Sequence, residues 1–147
     1  MQPIRVLVLC TNNSARSQMA EGFFRQIAGG QVRVDSAGTA PSRVHPLAIQ
    51  VMQEFGVDLA QHTSKHLNQF LGEPIDVVLT VCDAANDTCP MFPGRAERLH
   101  WSYPDPGAAV GEAAQLEVLR EIGRDMQARV QAFITERGGK PQELGAI

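Results

Sequence analysis

Short apolar runs and longer amphipathic segments alternate along the chain. The apolar runs are rich in β-branched residues and predict four strands, which lie at residues 4–9, 32–36, 75–81 and 99–101. The other apolar residues recur at helical spacing and predict three helices. These begin near Ser17, Pro46 and Glu112, and they end at Gly29, Gly56 and Gly138. Because strands and helices alternate, we predict an α/β fold in which helices cover both faces of a four-stranded parallel sheet.

A polar segment follows the first predicted strand and leads directly into the first helix. Amides at a helix start lack partners within the helix, and together with the helix dipole they favour an anion. Asn13 tolerates the left-handed backbone of a tight loop, and Arg16 adds a planar fork suited to a tetrahedral oxyanion. We predict that this segment binds an oxyanion beside a reactive Cys10 thiolate whose pKa is lowered into the range of about 3.5–7.5. Its sequence is Cys10-Thr11-Asn12-Asn13-Ser14-Ala15-Arg16-Ser17.

The alternative is a buried cysteine at a strand end, with Arg16 on a solvated helix face. The position between a buried strand and a helix favours the oxyanion site. In that site Ser17 is placed to donate a hydrogen bond to the thiolate of Cys10.

Length, charge and hydropathy narrow the class of protein. The 147 residues fit one domain, residues 1–147. The net charge of −3 provides no basic field for nucleic acid or an anionic membrane. No apolar run approaches the roughly 20 residues of a membrane span, and the first residues lack the layout of a secretory signal. We therefore expect a cytoplasmic monomer that binds neither nucleic acid nor membrane.

Three cysteines in a reducing compartment are buried apolar residues, metal ligands or working thiols. Cys10, Cys82 and Asp105 each follow a predicted strand, so we expect them to meet at the carboxyl edge of the sheet. Cys82 and Cys89 have a Cys-x6-Cys spacing that is unusual for zinc, so we expect no metal there. Asp105 precedes a proline and has the common alternative of a simple turn aspartate.

The segment from Cys10 to Ser17 resembles the signature loop of low-molecular-weight protein tyrosine phosphatases and of the thioredoxin-coupled arsenate reductases that share their fold. Ser36-Ala37-Gly38-Thr39 is similar to a second segment of this family, in which the serine bonds to the loop. The resemblance extends from Ile4 to the last helix and implies the same fold. It implies that Cys10 is the nucleophile, that Arg16 clamps the oxyanion, and that Asp105 of the Asp105-Pro106 pair protonates the leaving oxygen.

The stretch from Cys82 to Cys89 resembles the redox segment of the arsenate reductases. Phosphatases of this fold commonly carry a second cysteine inside the loop, and this loop has none. The resemblance implies arsenate reduction for arsenic detoxification. Cys10 attacks arsenate, Cys82 then releases arsenite by attacking Cys10, and a final Cys82–Cys89 disulfide is reduced by thioredoxin. If residues 82–89 are helical when reduced, their ends lie about 10 Å apart, and this disulfide requires the segment to unwind.

The sequence is compatible with two other functions. One is phosphomonoester hydrolysis, as the main or a side activity, because phosphate and arsenate share shape and charge. The other is a non-enzymatic redox sensor that binds an oxyanion.

Some arsenate reductases bind potassium beside the loop, at positions matching Asn13, Glu21, Ser36 and Thr63 and a carboxylate. Lys65 stands at the carboxylate position in this chain. Its ammonium group would repel a cation. We therefore expect no cofactor, and we expect Lys65 either to pair with Glu21 or to remain an ordinary solvated lysine.

Overall fold

The computed structural model describes residues 3–82 and 96–144. Cys89 lies outside these residues, and so do the predicted Cys82–Cys89 pairing and the predicted unwinding of the segment between these two cysteines.

Four parallel strands form one sheet, in the order β2-β1-β3-β4. They are β1 (Ile4–Leu9), β2 (Val32–Ala37), β3 (Val77–Thr80) and β4 (Glu97–His100). Successive side chains of a strand point to opposite faces, and the consecutive residues of β3, like Val6–Leu9 of β1, are all buried. Both faces of the central strands are therefore covered, and the predicted four-stranded parallel sheet of an α/β fold is confirmed.

The strand bounds differ from the predictions at β3, which is two residues shorter at its start and one shorter at its end than residues 75–81, and at β4. This strand begins two residues before the predicted residue 99 and ends before Trp101. As an edge strand it pairs only with β3, and three of its four side chains are exposed. A solvated edge strand does not need a continuous apolar run, which is why its first half was missed.

The described residues include three α-helices that contact one another, and the first of them packs against β1 and β2. They are α1 (Arg16–Ala28), α2 (Pro46–Glu54) and α3 (Glu112–Glu136). No described helix has both the length and the apolar character of a membrane span. Phe24 of α1 lies between Trp101, at a ring distance of 6.1 Å, and Phe133 of α3, at 5.2 Å. These aromatic contacts join the segment after β4 to both helices and so fix the position of the chain that follows Trp101.

Candidate active site

The loop between β1 and α1 turns its carbonyl groups outward. A neighbouring segment, residues 40–45, runs along its outer side and donates three backbone hydrogen bonds to it. They join Ala40 N to Thr11 O (2.9 Å), Ser42 N to Asn12 O (3.2 Å) and His45 N to Ser14 O (2.9 Å). In the described part of the chain, the backbone amides of residues 12–16 have no acceptor. Outward carbonyls and unpaired inward amides at a helix start make a cradle for an oxyanion.

Asn13 locks the shape of this cradle. Its φ of 46° is the left-handed backbone expected from the sequence, and its side chain is fully buried. The side-chain nitrogen Nδ2 donates to the hydroxyl groups of Ser17 and Ser36, both at 2.8 Å. The oxygen Oδ1 accepts from the backbone amide of Lys65 at 2.8 Å. Asn13 therefore ties the loop to α1, to β2 and to the segment before residue 66.

Gln18 is a second support that the sequence analysis missed. This fully buried side chain places Nε2 at 3.1 Å from Asn13 O, 3.0 Å from Asn13 Oδ1 and 2.9 Å from Thr63 O. A buried amide in such a position satisfies acceptors that would otherwise lose their hydrogen bonds to water. The signal in the sequence was the pair Gln18 and Glu21, two polar residues spaced to share one face of a helix that buries most of its side chains.

Glu21 is a buried carboxylate, 2% exposed, surrounded by donors and cations. Ser36 donates to Oε1 at 2.6 Å, and the Lys65 ammonium lies 3.6 Å from the same oxygen. Arg25 and His62 lie 3.1 Å and 3.3 Å from Oε2. Burial is the main cause that lowers the pKa of His62. Lys65 therefore pairs with Glu21, and the charge of the buried carboxylate is balanced by its neighbours.

The residues around Glu21 do not fit potassium. Thr63 O accepts from the Lys65 ammonium and from Gln18, both at 2.9 Å. Asn13 Oδ1 likewise accepts from the Lys65 amide and from Gln18. The oxygen lone pairs that would coordinate the ion are already engaged, and an ammonium group stands beside the carboxylate. Elsewhere in the described residues no group of three His, Cys, Asp or Glu side chains is arranged to hold a metal.

Cys10 and Cys82 meet at the carboxyl ends of β1 and β3. Both are buried, both are free thiols, and the side chain of Cys82 hydrogen-bonds Cys10. The hydroxyl of Thr11 lies 3.6 Å from the sulfur of Cys82. Contact with Cys82 and then burial raise the pKa of Cys10, while Arg16 and the Thr11 amide lower it less. The predicted lowering of this pKa is therefore wrong for this arrangement, because a second thiol beside the first opposes a second negative charge.

Arg16 and the segment around Asp105 are also brought together. The Arg16 guanidinium donates from Nη1 to the carbonyl oxygen of Tyr103 at 3.0 Å. Asp105 is exposed two residues further on, and its Oδ1 accepts from the amide of Gly107 at 2.9 Å. The Asp105 carboxylate therefore lies in a short turn two residues after Tyr103, whose carbonyl oxygen holds Arg16.

The chain is similar in sequence and in fold to known proteins. The family described as "Low molecular weight phosphotyrosine protein phosphatase" matches residues 5–137. The arsenate reductase of Halalkalibacterium halodurans is 38% identical over 129 residues, which are 87% of this chain and 93% of that protein. A solved structure of an arsenate reductase in the phosphate-binding state superposes with a TM-score of 0.79 at 34% identity, over 90% of this chain and 98% of that one. The thioredoxin-dependent arsenate reductase of Corynebacterium glutamicum superposes with a TM-score of 0.69 at 30% identity, over 91% of this chain and 64% of that one.

Proposed function

We propose, on the premise that this chain belongs to the low molecular weight phosphotyrosine protein phosphatase family and within it to the arsenate reductases, that it reduces arsenate to arsenite and is re-reduced by thioredoxin. The observation that carries the proposal is the contact between the thiols of Cys10 and Cys82 below the oxyanion cradle. Hydrolysis of a phosphate ester needs one nucleophile, whereas two-electron reduction through sulfur needs a second thiol within reach of the first.

The first step joins sulfur to arsenic. The loop amides of residues 12–16 and Arg16 hold the oxyanion, and the sulfur of Cys10 attacks the arsenic atom. The proton of Cys10 and the departing hydroxyl leave together as water. We assign the delivery of that proton to Asp105, whose Oδ2 is free of the turn that engages Oδ1.

The second step moves two electrons to arsenic. Cys82 attacks the sulfur of Cys10, a sulfur–sulfur bond forms, and the sulfur–arsenic bond breaks. The electron pair of the broken bond stays on arsenic, the proton of the Cys82 thiol passes to an arsenic-bound oxygen, and As(V) becomes As(III) and leaves as arsenite. The Thr11 hydroxyl beside the Cys82 sulfur is placed to orient this attack. The side chains of Asn13, Ser17 and Ser36 support the loop through their mutual hydrogen bonds.

The last step regenerates the enzyme. Cys89 attacks Cys82, Cys10 leaves as a thiol, and thioredoxin reduces the resulting Cys82–Cys89 disulfide. This step rests on the sequence resemblance, since Cys89 lies outside the described residues. We place the reaction in the cytoplasm, where thiols are kept reduced, and we assign it to a monomer.

Phosphomonoester hydrolysis is the second candidate function. The cradle, Arg16 and Asp105 suit a phosphate group equally well, and one of the solved relatives is a phosphate-bound arsenate reductase. Hydrolysis as the main activity leaves Cys82 without a role, although its thiol contacts that of Cys10.

The experiment that separates the candidates is arsenate-dependent oxidation of thioredoxin by the wild type, Cys82→Ser and Cys89→Ser. We expect turnover by the wild type and none by either variant, although both variants still bind the oxyanion. A phosphatase would hydrolyse an aryl phosphate without oxidising thioredoxin. A redox sensor would bind arsenate and turn over neither substrate.

A further inference from the structure

Tyr103 lies between the oxyanion clamp and the long helix α3. Its carbonyl oxygen accepts from Arg16 at 3.0 Å, and its hydroxyl donates to Asp125 of α3 at 2.7 Å. The guanidinium of Arg129, one helical turn after Asp125, lies 5.5 Å from the centre of the tyrosine ring. Tyr103 itself is 7% exposed. One buried residue thus connects a surface-facing side of α3 with the clamp.

The hydroxyl bond is the specific part of this anchor. Asp125 and Arg129 also pair with each other at 2.9 Å, but their side chains are 52% and 43% exposed. Solvent screens an ion pair so exposed, and such pairs contribute little to holding a loop. A hydrogen bond from a buried phenol to a charged carboxylate is short and directional, and it fixes the position of the ring.

Two prolines restrict the backbone between Tyr103 and Asp105. Pro104 and Pro106 restrict their own backbone angles and those of the residues before them. The chain from Tyr103 to Asp105 therefore has little freedom once the tyrosine is fixed. The carbonyl that holds Arg16 and the carboxylate proposed as the proton donor belong to one stiff segment.

Arg16 gains a fixed orientation from this arrangement. Its Nη1 donates to Tyr103, and among the described residues Nε and Nη2 have no acceptor, so these two donors are available to a tetrahedral oxyanion. A guanidinium held before the ligand arrives loses less freedom on binding and binds more tightly.

We infer that Tyr103 is a positioning residue for oxyanion binding, tied to α3 through its hydroxyl and holding the Arg16 clamp through its carbonyl. This inference rests on the proposed function only for the identity of the site, since the binding of an oxyanion can be measured without any redox step.

The test is the dissociation constant for inorganic phosphate, measured by calorimetry on the full chain. We expect Tyr103→Phe, which keeps the ring and removes the hydroxyl, to bind phosphate about tenfold more weakly. Asp125→Ala removes the same bond from the other side and should weaken binding equally, whereas Asp125→Asn keeps an acceptor and should restore most of the affinity. The double variant Tyr103→Phe/Asp125→Ala should be no worse than either single variant, because the two residues act through one bond.

Two further measurements separate positioning from a general loss of structure. Glu54→Gln is the matched control. It removes the ion pair that Glu54 of α2 makes with Arg120 of α3, and neither residue contacts Tyr103 or Arg16 in the described residues. It should leave the phosphate affinity unchanged. In an Arg16→Lys background, Tyr103→Phe should cause no further loss of affinity, because its effect passes through the guanidinium.

The single tyrosine also provides a spectroscopic signature. Burial and then Asp125 raise the pKa of the Tyr103 phenol. Its ionisation, followed at about 295 nm, should therefore move to lower pH in Asp125→Ala. Wild-type phosphate affinity in Tyr103→Phe and Asp125→Ala would overturn the inference. It would also be overturned if Tyr103→Phe weakened phosphate binding in the Arg16→Lys background as much as it does in the wild type. Absence of arsenate turnover in the wild type, together with the expected phosphate affinities in all variants, would count against the proposed reductase steps and leave the inference standing.

Discussion

Gly38 lies directly against the backbone of the oxyanion loop, and alanine at this position should damage the site from outside it. A Cβ atom on Gly38 would lie 2.6 Å from the carbonyl oxygen of Cys10 and still nearer to that of Thr11. Gly38 cannot retreat easily, because its amide donates to Lys65 O and its carbonyl accepts from Leu67 N, both at 2.9 Å. The loop therefore has to move.

The size of the movement follows from the contact distance. The loop must open by about 0.8 Å to bring the Cys10 oxygen to an ordinary contact of 3.4 Å, and by more to relieve the nearer Thr11 oxygen. A misplacement of about 1 Å in a catalytic group costs on the order of 10²-fold in rate, or about 2.7 kcal/mol of transition-state stabilisation. Overpacking lowers the free energy of unfolding by roughly 1–3 kcal/mol, which a folded domain of this size tolerates.

The assay for Gly38→Ala is kcat/KM for arsenate with thioredoxin as reductant, together with the phosphate dissociation constant and urea unfolding. Gly72→Ala is the matched control, because no atom of the described residues other than its chain neighbours lies within 4 Å of its Cβ position. We expect Gly38→Ala to lose about 10²-fold in kcat/KM while Gly72→Ala behaves as the wild type. Wild-type turnover and phosphate affinity in a folded Gly38→Ala would refute the assignment of the loop as the oxyanion site.

Three other perturbations test separate parts of the site. Cys82→Ala removes the contact that most raises the pKa of Cys10. The pH midpoint for alkylation of Cys10 by iodoacetamide, mapped by mass spectrometry, should therefore fall, and an unchanged midpoint would contradict this. Exchanging sodium for potassium should not change arsenate turnover, because the Lys65 ammonium already lies 3.6 Å from Glu21; a potassium-specific rise would argue otherwise. Gln18→Met removes one donor from three acceptors, of which Asn13 Oδ1 and Thr63 O keep a bond from Lys65. It should lower the free energy of unfolding by about 1–3 kcal/mol in urea, whereas unaltered stability would show that the Gln18 bridge is dispensable.

Local signals in the sequence account for the elements that were predicted well. Pro46 occupies the first turn of α2, as a proline at a helix start does, and the residue before it supplies the cap. Gly29 and Gly138 end α1 and α3 with φ values of 56° and 81°, which other residues rarely adopt. The strand β1 was placed correctly because Val6–Leu9 are buried on both faces of the sheet and so form a continuous apolar run.

Contacts between distant residues account for what was missed. The raised pKa of Cys10 depends on Cys82, more than 70 residues away, and no spacing rule gives the distance between their sulfur atoms. Gln18 reads as one more polar residue near a helix start until Thr63 is placed beside it. The anchor at Tyr103 depends on a hydrogen bond to Asp125, on a different element. Sequence patterns specify local backbone, whereas these side-chain roles arise only from the packing of one element on another.

The central claim is that Cys82 attacks the Cys10–arsenic adduct, and a single-turnover experiment tests it most directly. Reduced Cys89→Ser, mixed with arsenate and no thioredoxin, stops the relay after its second step. We expect one equivalent of arsenite and a Cys10–Cys82 disulfide that peptide mass spectrometry detects after quenching. Release of arsenite with Cys10 and Cys82 both still reduced would contradict the account, and so would a protein that binds arsenate but forms neither product.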